Sequence, residues 1–303
     1  MEILIVGSMA LDSIETPFGN AEETIGGSAI YASLSASYFH SCINLVGVIG
    51  MDFPGETLQF LTGKGIDLKG VQTVPGKTFR WKGYYDYDLN TAHTLDTQLN
   101  VFADFDPVLP DEYLQADLVF LANIDPELQL KVLSRMKQPR LVVCDTMNYW
   151  IATKKDKLRK LFEQVDMVIL NDAELREYTM EPNLIKASKK LLKIGPKLVI
   201  IKKGEHGAFL FSADGIFSAP AFPLENVLDP TGAGDTFAGG VIGSLAGAGR
   251  ISQKSLRTAI MYGTVMASFN VEDFGIKRLG SLDRECIENR FEELKKITAL
   301  EII

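Results

Sequence analysis

The chain is poor in the residues that announce many kinds of chemistry. Only three cysteines, Cys42, Cys144 and Cys286, occur in 303 residues, and they lie far apart. That excludes a disulfide framework and the paired cysteines of a structural zinc site, and it suits a reducing, cytoplasmic setting. Three histidines, His40, His93 and His206, are equally scattered, so no Ser-His-Asp or Cys-His set can be assembled. No apolar run reaches the length of a membrane span, and no basic segment precedes the apolar stretch that begins at Ile3. Neither membrane insertion nor export is expected. A net charge of -8 leaves no electrostatic footprint for nucleic acid or an anionic membrane, so the expected partners are small molecules. Two phosphate-binding loops are missing too. No Gly-x-x-x-x-Gly-Lys-Ser/Thr occurs, and a dinucleotide fingerprint counted from Gly232 would need glycine where Phe237 stands.

What is present is an ordinary core-forming composition, 46% hydrophobic and 23% charged over 303 residues, enough for one large core. Short continuous apolar runs at 3–6, 43–49, 118–122, 141–144, 167–170 and 198–201 read as strands buried on both faces. Helix-length stretches alternate with them, among them 28–40, 54–65, 127–136, 158–164, 185–194, 253–268 and 283–299, and 208–217 reads as a hairpin. This predicts an α/β protein with a mostly parallel central sheet, formed as a single unit over residues 1–303. Between about 71 and 105 the pattern changes to polar residues alternating with aromatic or β-branched ones, which predicts antiparallel strands. With residues 11–24 they would form a small sheet inserted in the domain as a lid.

The most informative stretch is Asp229-Pro-Thr-Gly-Ala-Gly-Asp-Thr-Phe-Ala-Gly-Gly240. Pro230, Gly232 and Gly234 force a tight turn, and the small apolar run that follows reads as a buried helix. The free N–H groups of residues 232–235 at such a helix start, with the helix dipole behind them, form a cradle for an anion, best of all a phosphoryl group. Asp235 inside that cradle reads either as a first-turn carboxylate that favours the dipole or as a base that takes a proton from an acceptor hydroxyl.

This stretch resembles the C-terminal signature of the PfkB/ribokinase family of carbohydrate and nucleoside kinases. The resemblance implies a ribokinase-like three-layer α/β/α fold with a small β-sheet lid, and transfer of the γ-phosphoryl group of ATP to a primary hydroxyl of a sugar or nucleoside. It makes Asp235 the base and Gly232, Ala233 and Gly234 the anion hole, with Thr231 beside the nucleotide. Other pieces match in order. Asp12 is by position a turn residue and by resemblance a holder of sugar hydroxyls. Gly26-Gly27 resembles the family's N-terminal Gly-Gly, and Gly47 to Gly55 resembles the segment that follows it, where Asp52 is expected to be structural. Asn171-Asp-Ala-Glu174 reads as a helix cap with a capping box. By resemblance it is also the Asn-x-x-Glu pair that holds Mg2+ through water. Lys203, Gly204 and Gly207 form either a hairpin turn or the loop along the nucleotide. Tyr31 stands where many members have an asparagine that touches the sugar.

Phe79, Trp81, Tyr84, Tyr85 and Tyr87 crowd the proposed lid. They would stack on a nucleobase, pack the lid, or pair two lids in a homodimer. A silent sugar- or nucleotide-binding regulator is the alternative to a kinase, and intact Asp235 and Asn171-x-x-Glu174 speak against it.

Overall fold

The computed structural model describes residues 1–299. Among them lie thirteen strands: β1 (Ile3–Val6), β2 (Ala10–Thr16), β3 (Gly19–Gly26), β4 (Ile43–Gly50), β5 (Ile66–Val74), β6 (Phe79–Tyr85), β7 (Ala92–Gln98), β8 (Leu118–Leu121), β9 (Leu141–Asp145), β10 (Met167–Asn171), β11 (Leu198–Lys202), β12 (Ala208–Ser212) and β13 (Gly215–Ala219). Nine of them form one sheet in the order β13-β12-β11-β10-β9-β8-β1-β4-β5. It is parallel from β11 to β5, with the hairpin β12–β13 added antiparallel at one edge.

The continuous apolar runs follow from burial on both faces. Because side chains alternate along a strand, Ile3 and Ile5 enter one core with the helices Ser28–Ser37, Ala233–Ala248 and Gln253–Asn270. Leu4 and Val6 enter the other with Pro126–Arg135, Lys155–Phe162, Asp172–Thr179 and Leu184–Leu192. Three layers result. The Ala233 helix lies very close to the Ser28 helix, since a β-carbon at Gly239 would overlap the Ala32 backbone. No helix among the described residues is long and apolar enough to cross a membrane.

The small sheet is built from two hairpins in the order β3-β2-β6-β7. Its central pair, β2 and β6, is parallel, where only antiparallel strands were expected. The reason is topological: β2 follows β1 and β6 follows β5, so both leave the carboxyl edge of the same parallel sheet. A second difference concerns residues 71–74, which belong to β5 and pair parallel with β4 in the main sheet. β5 is the outermost strand of that sheet and only partly buried, so its alternation imitates that of the small sheet. Residues beyond β7 form a 3-10 turn, Asn100–Asp104.

Asp52, just past β4, ties the small sheet to the body. One of its oxygens accepts bonds from Thr78 N and Thr78 Oγ1, both at 2.8 Å, and the other pairs with Arg80 of β6 at 2.8 Å. These contacts hold its carboxyl below the usual aspartate range against the opposing effect of burial.

Candidate active site

The loop before the Ala233 helix is held by side chains that sequence distance hides. Buried Asp229 accepts from Thr231 N at 2.8 Å and from Gly275 N at 3.4 Å. Asn270 donates to Thr231 O at 2.7 Å and accepts from Thr236 Oγ1 at 3.0 Å. Gly232 caps the helix at φ 75°, a left-handed conformation costly for any other residue. Ala233 N is committed to Pro230 O at 3.2 Å, and Thr236 N to Gly232 O at 2.8 Å. The amides of Gly232, Gly234 and Asp235 donate to no acceptor among the described residues. Three amides of the turn are thus left free, and that of Ala233 is bonded.

On one side of this turn lie the residues singled out near the N-terminus. Asp12, on β2, is 5% exposed. A β-carbon at Gly26 would run into its carboxylate, and one at Gly27 (φ 100°) would run into the backbone of Ser8. Gly26 thus makes room for Asp12, and Gly27 lets the Ser28 helix start against the loop after β1. Tyr31 packs its ring on Gly232, and its hydroxyl is buried without a partner among the described residues. Tyr85 of the small sheet accepts from Thr231 Oγ1 at 3.2 Å. Burial pushes the Asp12 carboxyl up to about 8, with Asp229 and Asp235 adding to it. The Tyr31 hydroxyl is raised by burial and by the same acids.

On the other side stand strand ends. Asn171 and Glu174 make a complete capping box: Asn171 Oδ1 accepts from Glu174 N at 2.8 Å, and Glu174 Oε2 accepts from Asn171 N at 2.7 Å. Lys202 ends β11 beside Asn171 in register. Its ammonium donates to Asp145 Oδ2 at 2.8 Å, with the two side chains 18% and 3% exposed. Neither Lys202 nor Asp145 was singled out from the sequence, although both lie at carboxyl ends of strands, where ligands of such sheets collect. Lys203 rests its ammonium 4.5 Å over the Phe209 ring and, with Lys202, borders a cleft beside the strand end.

Asp235 belongs to both groups. Burial pushes its carboxyl up to about 7, with Asp145 adding and Lys202 opposing. Burial likewise takes Glu174 up to about 7 against the pull of Lys202. Lys202 would lose basicity by burial, but Asp145, Glu174 and Asp235 hold it well above an ordinary lysine. Three carboxylates thus share one ammonium. Hard oxygen donors with surplus negative charge suit Mg2+, and the capping box engages only one of the two Glu174 carboxylate oxygens. Among the described residues no three His, Cys, Asp or Glu side chains converge as a ligand cage.

Alongside this cluster runs a cleft of about 590 Å³, lined by Lys202, Gly204, Gly207, Gly234, Thr264 and the small-sheet loop at Asn90. Gly204 and Gly207 have φ 53° and 82°, and the Thr264 hydroxyl is buried there without a partner. Thr264 lies within a helix and carried no signal in the sequence.

Comparison with known proteins identifies the family and the fold. The family model described as pfkB family carbohydrate kinase matches residues 2–279. A cytidine kinase of Thermococcus kodakarensis is 34% identical over 247 residues, covering 80% of this chain and 87% of that relative. A Burkholderia thailandensis nucleoside kinase solved with ADP-inosine superposes with a TM-score of 0.80 at 20% identity, covering 99% of this chain and 100% of that one. An E. coli chain solved with ATP and Mg2+ superposes with a TM-score of 0.79 at 17% identity, covering 96% and 99%. These two likenesses establish a ribokinase-like fold. With the family model spanning nearly its whole length, the chain belongs to the pfkB family of carbohydrate kinases and is a sugar or nucleoside phosphotransferase.

Proposed function

We propose that this chain is an ATP-dependent kinase that phosphorylates the primary hydroxyl of a nucleoside. The observation that carries the nucleoside reading is the register of the small sheet. Trp81 pairs with Asp12 across β6 and β2, so the two side chains share one face. The half-buried indole spreads over Gly83, where a β-carbon would overlap its ring. An aromatic plate beside a carboxylate suits a base next to a ribose hydroxyl. The cytidine kinase relative supports the same reading. A free sugar is the second reading, favoured by the packing of Phe79 on Phe102 at 5.2 Å and of Tyr84 on His93 at 4.8 Å.

In this mechanism the nucleotide lies in the 590 Å³ cleft, with its triphosphate toward the Gly232 turn. The acceptor hydroxyl lies between Asp235 and the γ-phosphorus, and Asp12 holds a neighbouring hydroxyl. The acceptor oxygen forms the new bond to phosphorus while the bond from phosphorus to the β,γ-bridging oxygen breaks, and ADP leaves with that electron pair. Asp235 takes the proton. A carboxylate raised to about 7 is well matched to that task near neutral pH. The free amides of Gly234 and Asp235, reinforced by the helix dipole, stabilise the charge on the transferring group. Mg2+, held through water by Asn171 and Glu174, would supply neutralisation of the triphosphate.

The test is ATP consumption with Mg2+ across cytidine, adenosine, inosine, guanosine, ribose, fructose and inositol. Turnover on a nucleoside with none on free sugars is expected. The reverse pattern would refute the nucleoside reading and reduce Trp81 to packing.

A further inference from the structure

The four-residue group Lys202, Asp145, Glu174 and Asp235 contains a cation that the mechanism above leaves unused. Lys202 Nζ lies 2.9 Å from where a β-carbon of Gly234 would sit. It therefore stands directly against the first turn of the Ala233 helix, whose Gly234 and Asp235 amides are free. The same side chain lines the nucleotide cleft. Cleft, free amides and ammonium meet at one point, and a β-carbon at position 234 would displace the Lys202 ammonium. Its partner Asp145 is fixed from behind: Asp145 Oδ1 accepts from Thr146 N at 2.7 Å, and its backbone carbonyl accepts from Gln129 at 3.1 Å.

We propose that Lys202 is a further catalytic residue, whose ammonium contacts the γ-phosphoryl group during transfer while Asp145 acts as the positioning residue that aims it. The charge balance supports this. Among its neighbours Asp145, Glu174 and Asp235 it is the one positive group, and a triphosphate entering the cleft brings more negative charge to the same place. A buried pair that loses one partner leaves the other uncompensated, so a lysine held by a fixed carboxylate reaches the phosphoryl oxygens without leaving Asp145 unpaired. An ammonium beside the free amides adds to the same stabilisation of equatorial oxygens. Lys203 lines the same cleft, but its ammonium sits 4.5 Å over the Phe209 ring and is not among the atoms nearest Gly234.

The inference rests on the kinase reading of the site, and the two fail separately. The experiment measures Mg2+-dependent binding of ADP and of the β,γ-imido analogue of ATP by calorimetry, beside kcat on the best acceptor. Lys202→Met is expected to weaken the analogue by about 10- to 100-fold, as loss of a charge-assisted hydrogen bond implies, and to leave ADP within about two-fold. It should lower kcat by about 100-fold or more, with acceptor KM little changed, and Lys202→Arg should restore part of both. If the single variant does not fold because Asp145 is left buried alone, Lys202→Met/Asp145→Asn removes both charges and must show the same selective loss. Equal losses for ADP and analogue, or unchanged kcat, would overturn the proposal. A wild type that binds the analogue more tightly than ADP yet turns over no acceptor would instead sink the kinase reading and leave the lysine contact measurable.

Discussion

Replacing Gly232 by alanine tests the geometry of the anion turn, because two independent costs can be separated there. The backbone sits at φ 75°, and a left-handed conformation costs an L-residue with a side chain about 1–2 kcal/mol. The new β-carbon would also lie within 2.5 Å of three Tyr31 ring atoms. That ring is 1% exposed and cannot swing aside, and overpacking of this kind costs about 1–3 kcal/mol. The sum is about 2–5 kcal/mol. With an unfolding entropy of about 2.1 cal/mol/K per residue, or about 0.6 kcal/mol/K for a chain this size, Tm should fall by about 3–8 °C. Two controls isolate the terms. Gly249→Ala, at φ 68° with open space around it, should show only the backbone cost. In a Tyr31→Leu background the cost of Gly232→Ala should shrink toward that value, giving a coupling of about 1–3 kcal/mol. Calorimetry or urea denaturation reads the wild type and the four variants. A cost for Gly232→Ala that is the same with and without the tyrosine ring, or no larger than that of Gly249→Ala, would refute the packing of Tyr31 on the turn.

Asp235→Asn should lower kcat by about 10²- to 10⁴-fold, as loss of a general base does, with ATP binding retained by calorimetry; near-normal turnover would eliminate Asp235 as the base. Since the Asp235 carboxyl is pushed up to about 7, kcat/KM should rise as pH passes through that value, and Asp235→Glu should shift the limb; a flat profile contradicts the assignment. Folding favours the acid forms of Asp12, Asp235 and Glu174, whose pKa values are raised to about 8, 7 and 7. The stability they contribute is complete below about pH 4 and is lost as pH rises through about 7 to 8. The nucleotide-free protein should therefore lose Tm over that window, and Asp12→Asn should flatten the loss; a Tm that climbs instead would mean these carboxylates are already compensated. Trp81→Ala should raise nucleoside KM by about 5- to 100-fold, the worth of one base stack, while Tyr84→Ala, stacked on His93, should leave KM unchanged in steady-state assays.

What could be read directly was local in the chain. The turn Asp229 to Gly234 and the helix it opens depend on neighbouring residues, because Pro230 fixes its own φ and Gly232 accepts the left-handed conformation at no steric cost. The Asn171–Glu174 capping box is local for the same reason, and it forms as expected. The central strands were legible because burial on both faces removes polar residues from the pattern. The boundary between β5 and the small sheet was not, since a half-buried strand looks alike whether its neighbour runs parallel or antiparallel.

Contacts between distant segments belonged to the tertiary structure alone. Nothing near Tyr31 says that its ring closes on Gly232, and nothing near Asp145 says that it pairs with Lys202. Of two adjacent lysines, the sequence reading favoured Lys203; both line the cleft, and Lys202, the last residue of β11, is the one whose ammonium stands against Gly234. Residue types and local turns set which groups the chain carries. The order of strands in the sheet decided which of them meet, because charges interact through distance in space and burial, and neither quantity is a property of chain position.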